Sequence, residues 1–86
     1  LEVATNWGEQ VLLVGSLEEL GNWKPERGKR MKWNPTVWSV VVELPIGKFQ
    51  YKYLITSKVS PCRWETGANR WETIIPGRTS ISDSWE

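Results

Sequence analysis

Residues 37–56, VWSVVVELPIGKFQYKYLIT, hold two runs of alternating side chains on either side of a Pro-Ile-Gly turn. In the second run, 48–56, every second residue is large and apolar: Phe49, Tyr51, Tyr53 and Ile55. The first run, 37–44, alternates in the same way through Trp38, Val40, Val42 and Leu44. A period of two residues is typical of strands that bury one face. The pattern therefore predicts two strands joined at 45–47 in an antiparallel hairpin.

Shorter runs of the same character continue the pattern towards both ends of the chain. Residues 10–14 predict a strand that ends at Gly15, and weaker signals predict strands in 1–5, 62–64, 72–75 and 79–82. Residues 17–32 do not alternate, and they predict a long surface loop with one helical turn at 17–20. Short strands between turn signals are typical of an all-β sandwich or barrel.

Composition limits the chain to one globular domain. It has 86 residues, 40% of them hydrophobic and 24% charged, with a mean hydropathy of −0.44. No run approaches the roughly 20 apolar residues of a membrane span, and residues 1–4 do not resemble a targeting leader. A net charge of +1 gives no field that would attract nucleic acid or anionic lipid. We therefore expect neither a membrane nor a nucleic acid as partner.

Two scarce residue types exclude most compact catalytic and metal sites. The chain has no histidine, and thus no imidazole base or imidazole metal ligand. Its single cysteine, Cys62, cannot form an internal disulfide or a cysteine-rich zinc site. We predict no cofactor and no metal. The unpaired cysteine favours a reducing compartment such as cytosol or plastid, while secretion stays open.

Two alternatives based on charged residues are less well supported. Carboxylates that could serve an acid–base pair are Glu18, Glu19, Glu65, Glu72 and Asp83. A domain of this size has little volume for a cleft around them, so we predict no catalytic residues and no hydrolysis. A basic cluster that could contact nucleic acid comprises Lys24, Arg27, Lys29, Arg30 and Lys32. It shares its loop with three glutamates, which is typical of a solvated charged surface.

Tryptophan is the residue type in excess. Seven are present: Trp7, Trp23, Trp33, Trp38, Trp64, Trp71 and Trp85. A core of this size cannot enclose all seven, so some indole rings should face water.

Four segments, in order along the chain, resemble one known family. They are 14–23 (VGSLEELGNW), 34–53 (from NPTVWSV to FQYKY), 64–70 (WETGANR) and 82–85 (SDSW). Together they are similar to the motifs of the starch-binding domains called carbohydrate-binding module family 20. The resemblance implies an all-β fold, an immunoglobulin-like antiparallel β-sandwich of about seven or eight short strands. It also implies a module, residues 1–86, excised from a larger protein.

The resemblance further implies non-catalytic binding of α-1,4-glucans such as starch, glycogen, maltooligosaccharides and cyclodextrin. Site 1 would consist of Trp23, Lys52, Trp64, Glu65 and Asn69, with the two indoles stacking on glucose rings and the polar groups bonding hydroxyls. Site 2 would consist of Trp7, Trp33 and Trp38. Trp38 lies on the apolar face of its run, so packing in the core is an equal alternative for it. An isolated module should be monomeric and should tether an attached enzyme or scaffold to polysaccharide.

Other features of the sequence keep alternatives open. A structural or protein-interaction sandwich without sugar binding fits the fold but does not explain the surplus tryptophans. Trp85 is expected to pack or to close a strand. Five residues separate Arg70 from Pro76 where relatives often have fewer, which predicts a bulge that exposes Trp71. The identity of any parent protein and the compartment stay undetermined at the level of sequence.

Overall fold

The computed structural model describes residues 1–5, 8–33, 37–58, 62–76 and 81–85. Seven strands are assigned within these ranges: β1 (Gln10–Gly15), β2 (Lys29–Arg30), β3 (Lys32–Trp33), β4 (Trp38–Ser39), β5 (Gly47–Thr56), β6 (Arg63–Trp64) and β7 (Arg70–Ile74). Two 3₁₀ turns, Glu18–Leu20 and Pro25–Arg27, lie between β1 and β2. No helix of the described ranges is long and apolar enough to cross a membrane.

The ten-residue strand β5 organises the larger sheet. β1 pairs antiparallel along one edge of β5, and β2 continues the sheet beyond β1. β6 and β7 lie one after the other along the opposite edge of β5, at residues 54–55 and 47–51. The predicted alternation in 48–56 is confirmed, because Phe49, Tyr51, Tyr53 and Ile55 are all buried.

The predicted hairpin between 37–44 and 48–56 is wrong. Within 37–44 only Trp38–Ser39 forms a strand, and it pairs with β3 rather than with β5. Residues 45–47 instead carry the chain from one layer of the sandwich to the other. The apolar side chains Trp38, Val40 and Leu44 then pack against β5 across the core. Alternation shows which side chains are buried, and it does so equally for a hairpin partner and for a strand of the facing layer.

The second layer is built from β3, β4 and both ends of the chain. The backbone of Leu1 exchanges two hydrogen bonds with Trp38, at 2.7 and 3.0 Å. The next residue, Glu2, forms a parallel bridge to Ser84 near the other end of the chain. Of the strands predicted at the two ends, 1–5 is thus reduced to a bridge, and 79–82 lies partly outside the described residues. The sandwich class is confirmed, and the pairings among the described residues are antiparallel apart from this bridge.

Close backbone approach explains the glycine that ends β1. A Cβ atom on Gly15 would lie 2.5 Å from the carbonyl oxygen of Gln50 and 2.8 Å from Cδ1 of Leu20. The missing side chain lets Ser16 bond to the backbone of Gln50 and lets Leu20 enter the core completely. The 3₁₀ turn at Glu18–Leu20, predicted as a helical turn at 17–20, is thereby fixed at the end of β1.

Candidate functional site on the outer face of the sheet

The outer face of the larger sheet, defined by Gln50, Lys52 and Leu54 of β5, carries most of the predicted site 1. These residues alternate with the buried aromatic residues and point away from the core. Strand register adds two tryptophans to the same face, because Trp64 lies opposite Leu54 and Trp71 lies opposite Gln50. Directly paired residues project to the same side of a sheet.

Trp64 is presented to solvent on a short, firmly held strand. Its side chain is 38% exposed, while its partner Leu54 is completely buried. Arg63, the other residue of β6, forms an ion pair with Glu9 at 2.6 Å. The indole thus covers Leu54 with part of its surface and leaves the remainder available.

Lys52 places a polar group close to this indole, and Asn69 places another farther along the same face. The ammonium group of Lys52 donates hydrogen bonds to the carbonyl oxygens of Glu65 and Gly67, at 3.1 and 2.6 Å. These bonds use two of its three N–H donors and hold it against the loop after Trp64. The amide of Asn69 donates to the side-chain oxygen of Gln50 at 3.1 Å, which fixes it on the outer face. Both side chains therefore stand at the surface in fixed positions, as expected for groups that bond hydroxyls.

The structure corrects the role expected for Glu65, whose side chain does not reach the surface. It is 3% exposed, and its carboxylate accepts two hydrogen bonds from Arg70, at 3.0 and 2.7 Å. One of its oxygens also accepts the backbone N–H of Tyr53 at 3.1 Å. A carboxylate can be buried only when it has such hydrogen-bonding partners. Because these partners lie inside the domain, the side chain of Glu65 points inward. Glu65 is thus a positioning residue that fixes the backbone next to Trp64.

A second carboxylate ties the end of the chain to the same region. Asp83 accepts hydrogen bonds from the hydroxyls of Tyr51 and Tyr53, both at 2.7 Å, and forms an ion pair with Arg70 at 3.3 Å. Arg70 also lies over the Tyr53 ring, 5.5 Å from its centre. Burial and the bonds to Asp83 raise the pKa of both tyrosines well above the ordinary value of about 10.

These raised pKa values predict loss of stability in alkaline solution. A group whose pKa is higher in the folded state stabilises the fold fully below its unfolded pKa, and that contribution is lost as pH rises above it. We expect the free energy of unfolding to fall above about pH 10 by roughly 1.4 kcal/mol per pH unit for each tyrosine. Urea unfolding across this range measures the slope. Tyr53→Phe should remove about half of it, and an unchanged slope would contradict the assignment.

Trp23 lies in the loop that follows β1. Its backbone N–H donates to the carbonyl oxygen of Gly15, at the end of β1. Gly15 follows Val14, which is the register partner of Lys52, so the loop brings Trp23 to the level of Lys52 on the β1 side. Trp23 and the preceding Asn22 have φ angles of 64° and 50°. A bulky residue in this left-handed region is uncommon, and here it lies in a turn. Its ring is half-buried.

Site 2 is only partly described. Trp7 lies outside the described residues. Trp33 and Trp38 are partners on β3 and β4, with ring centres 5.6 Å apart, and Trp33 is 52% exposed. Trp38 is 7% exposed and belongs to the core, so the packing alternative describes it and the stacking role does not. Its indole nitrogen has no hydrogen-bond partner within the part of the chain that the structure describes.

Trp71 is a functional candidate that sequence reasoning left without a role. Its predicted exposure is confirmed at 63%, but the predicted bulge is wrong because β7 keeps regular register with β5. The exposure comes from alternation, which buries Arg70 and Glu72 more deeply and turns Trp71 outward. Alternation in the sequence does not signal this exposure, because an indole between two charged residues is expected on the buried face.

The cavity and the acidic residues of the described ranges offer no alternative binding site that includes the residues of site 1. A cavity of about 490 Å³ lies between the layers and is lined mainly by apolar residues such as Val40, Leu44 and Phe49. It includes no residue of site 1. Among the described residues, no three cysteine or acidic side chains are grouped so as to hold a metal ion. The arrangement is suited to binding at a surface rather than to catalysis in a cleft.

Known sequences match nearly the whole length of this chain. A family model described as a starch binding domain matches residues 1–84. An alpha-amylase from Thermomonospora curvata is 37% identical over 91 aligned residues, covering 96% of this chain and 15% of that protein. A glucoamylase from Neurospora crassa is 30% identical over 93 residues, covering 98% of this chain and 15% of that protein. The chain thus spans about 15% of the length of these curated relatives.

Solved structures with the same fold include an isolated domain. The crystal structure of the family 20 carbohydrate-binding module of a maltotetraose-forming amylase from Pseudomonas saccharophila superposes with a TM-score of 0.71 at 31% identity. That match covers 86% of this chain and 82% of the module. A glucoamylase from Hypocrea jecorina superposes with a TM-score of 0.76 at 27% identity, over 84% of this chain and 13% of the enzyme.

Proposed function

Because the chain belongs to the starch-binding domains of carbohydrate-binding module family 20, we propose that it holds an α-1,4-glucan against the outer face of its larger sheet. The domain is a non-catalytic binding module. It tethers the protein to which it is attached, an enzyme or a scaffold, to starch or glycogen. The observation that carries this proposal is the exposed indole of Trp64 on the same face as the fixed polar groups of Lys52 and Asn69.

Each residue of site 1 has a distinct part in this proposal. Trp64 and Trp23 stack on different glucose rings of one chain, because they approach Lys52 from opposite edges of β5. The remaining N–H of Lys52 and the amide oxygen of Asn69 bond sugar hydroxyls. Glu65 acts through the backbone that it fixes and makes no contact with the sugar.

The expected affinity is modest. Two stacking contacts of about 1–2 kcal/mol each and hydrogen bonds worth a net ~0.5–1.5 kcal/mol must offset the entropy lost on association. We expect a Kd of roughly 10 μM to 1 mM for a short maltooligosaccharide. Starch presents many chains, so a second site raises the effective concentration and strengthens retention on the granule. Trp33 provides the exposed ring of site 2 in this scheme.

Titration with β-cyclodextrin, followed by intrinsic tryptophan fluorescence, tests the proposal directly. Stacking on an indole changes its polarity, so we expect a saturable shift in the stated affinity range. A structural or protein-interaction sandwich gives no response at millimolar ligand, and that result would overturn the proposal. A single-stranded oligonucleotide serves as the control for the nucleic-acid alternative, which requires binding that weakens steeply with salt.

A further inference from the structure

Trp71 and Trp64 form one row on the outer face. Trp64 belongs to site 1, whereas Trp71 has no assigned role. Trp71 is the more exposed of the two, at 63% against 38%, so most of its indole faces water. The ladder between β7 and β5 fixes its backbone through five paired residues, from Gly47 to Tyr51 on β5. Its position on the sheet is therefore as firm as that of Trp64.

The separation of the two rings follows from strand register. Their partners on β5, Leu54 and Gln50, are four residues apart, so the two backbones lie about 13 Å apart along the strand. A single pyranose ring is much shorter than this distance. A glucan that contacts both tryptophans must therefore extend over several glucose residues.

The surface between the two rings is polar and hydrogen-bonding. Lys52 lies midway along β5, between Leu54 and Gln50. Next to Trp71, the amide pair of Asn69 and Gln50 occupies the outer face. Each of these side chains retains donor or acceptor capacity after its internal bonds, which suits the hydroxyl rim of a sugar chain. Aromatic platforms separated by amide and ammonium groups match an alternation of apolar ring faces and hydroxyls.

We propose that Trp71 is a third stacking platform that extends site 1 and makes the domain prefer long linear α-glucan chains. This inference rests on the proposed function, since it concerns the same ligand and the same face. A chain that reaches Trp71 gains one more stacking contact than a short oligosaccharide held at Trp64 and Lys52. The additional contact strengthens binding only for ligands long enough to span the row.

The test compares Trp71→Leu with the unmodified domain by isothermal titration with maltotriose and maltodecaose. Leucine keeps an apolar side chain but removes the flat ring. We expect affinity for maltodecaose to fall about tenfold, the equivalent of 1.4 kcal/mol, while affinity for maltotriose is unchanged. Trp71→Phe, which keeps a flat ring, should retain most of the affinity for maltodecaose. Val41→Ala, a truncation at an exposed residue of the other layer, controls for non-specific effects.

The outcomes separate this inference from the function on which it rests. If Trp71→Leu binds maltodecaose as tightly as the unmodified domain, Trp71 is not part of the site and the inference is overturned. An equal loss for maltotriose and maltodecaose overturns it as well, because the ring would then not act through chain length. Failure of the unmodified domain to bind either sugar contradicts the proposed function itself.

Discussion

Replacing Glu65 with alanine is expected to lower the free energy of unfolding by about 3–5 kcal/mol. The substitution removes the two-bond partner of Arg70 and the acceptor of the Tyr53 backbone N–H. Arg70 keeps its ion pair with Asp83 and a bond to the backbone of Ser84, so the loss should lie at the lower end of the range. Domains of this size are stable by only about 5–15 kcal/mol, so the effect is a large fraction of the total.

Thermal and urea unfolding, each with a matched control, measure this loss. A change of 3 kcal/mol corresponds to a fall in Tm of about 12–24 °C for a domain of this length. Glu65→Gln keeps an acceptor for the Tyr53 N–H but loses the charge, and it should fall between Glu65→Ala and the unmodified domain. Glu18→Ala changes an exposed carboxylate and should stay within about 0.5 kcal/mol. A similarly small effect of Glu65→Ala would refute the positioning role.

The same network predicts that sugar binding and stability are linked in this domain. Glu65 directly follows Trp64, and its backbone N–H bonds to Tyr53 while its carbonyl oxygen holds Lys52. One buried carboxylate therefore fixes the backbone of the proposed stacking residue and the position of the proposed polar contact. A site on the surface of a small sandwich gains rigidity in this way without a cleft, and a rigid site loses less entropy when a sugar binds.

The sequence predicts which side chains of β5 are buried because alternation is a local property. It does not predict which strand is the neighbour of β5, since that depends on how the chain between Leu44 and Gly47 crosses the sandwich. Leu54 shows the same limit. Its place in the alternation puts it on the outer face, yet it is completely buried because Leu12 and Trp64 flank it from two strands.

The sequence selects candidate residues for the site but does not assign a role to each of them. Resemblance to a family identified Trp64, Lys52 and Asn69, and the structure places these three together on one face. It also identified Glu65, but the inward turn of this carboxylate depends on Arg70 and on the backbone of a strand twelve residues earlier. Contacts of that kind arise only when the fold closes, so a motif alone cannot assign them.

Replacing Trp64 with alanine is expected to weaken binding to β-cyclodextrin by about 30–150-fold, the equivalent of 2–3 kcal/mol. The substitution removes the flat ring that we propose covers one glucose face, and it also leaves Lys52 without an adjacent apolar surface. Isothermal titration measures the loss, and Trp64→Phe, which keeps a smaller flat ring, should lose much less.

Loss of the fold must be distinguished from loss of the ring in this variant. Trp64 covers the buried Leu54, so its truncation should also cost about 1 kcal/mol of stability, which a folded domain tolerates. A near-ultraviolet circular dichroism spectrum with a cooperative thermal transition would establish that the variant is folded. If the folded variant then binds β-cyclodextrin with unchanged affinity, the outer face is not the principal glucan site. Any weak binding that persists should disappear when Trp33→Ala is added, because we propose that this exposed ring in the other layer forms site 2.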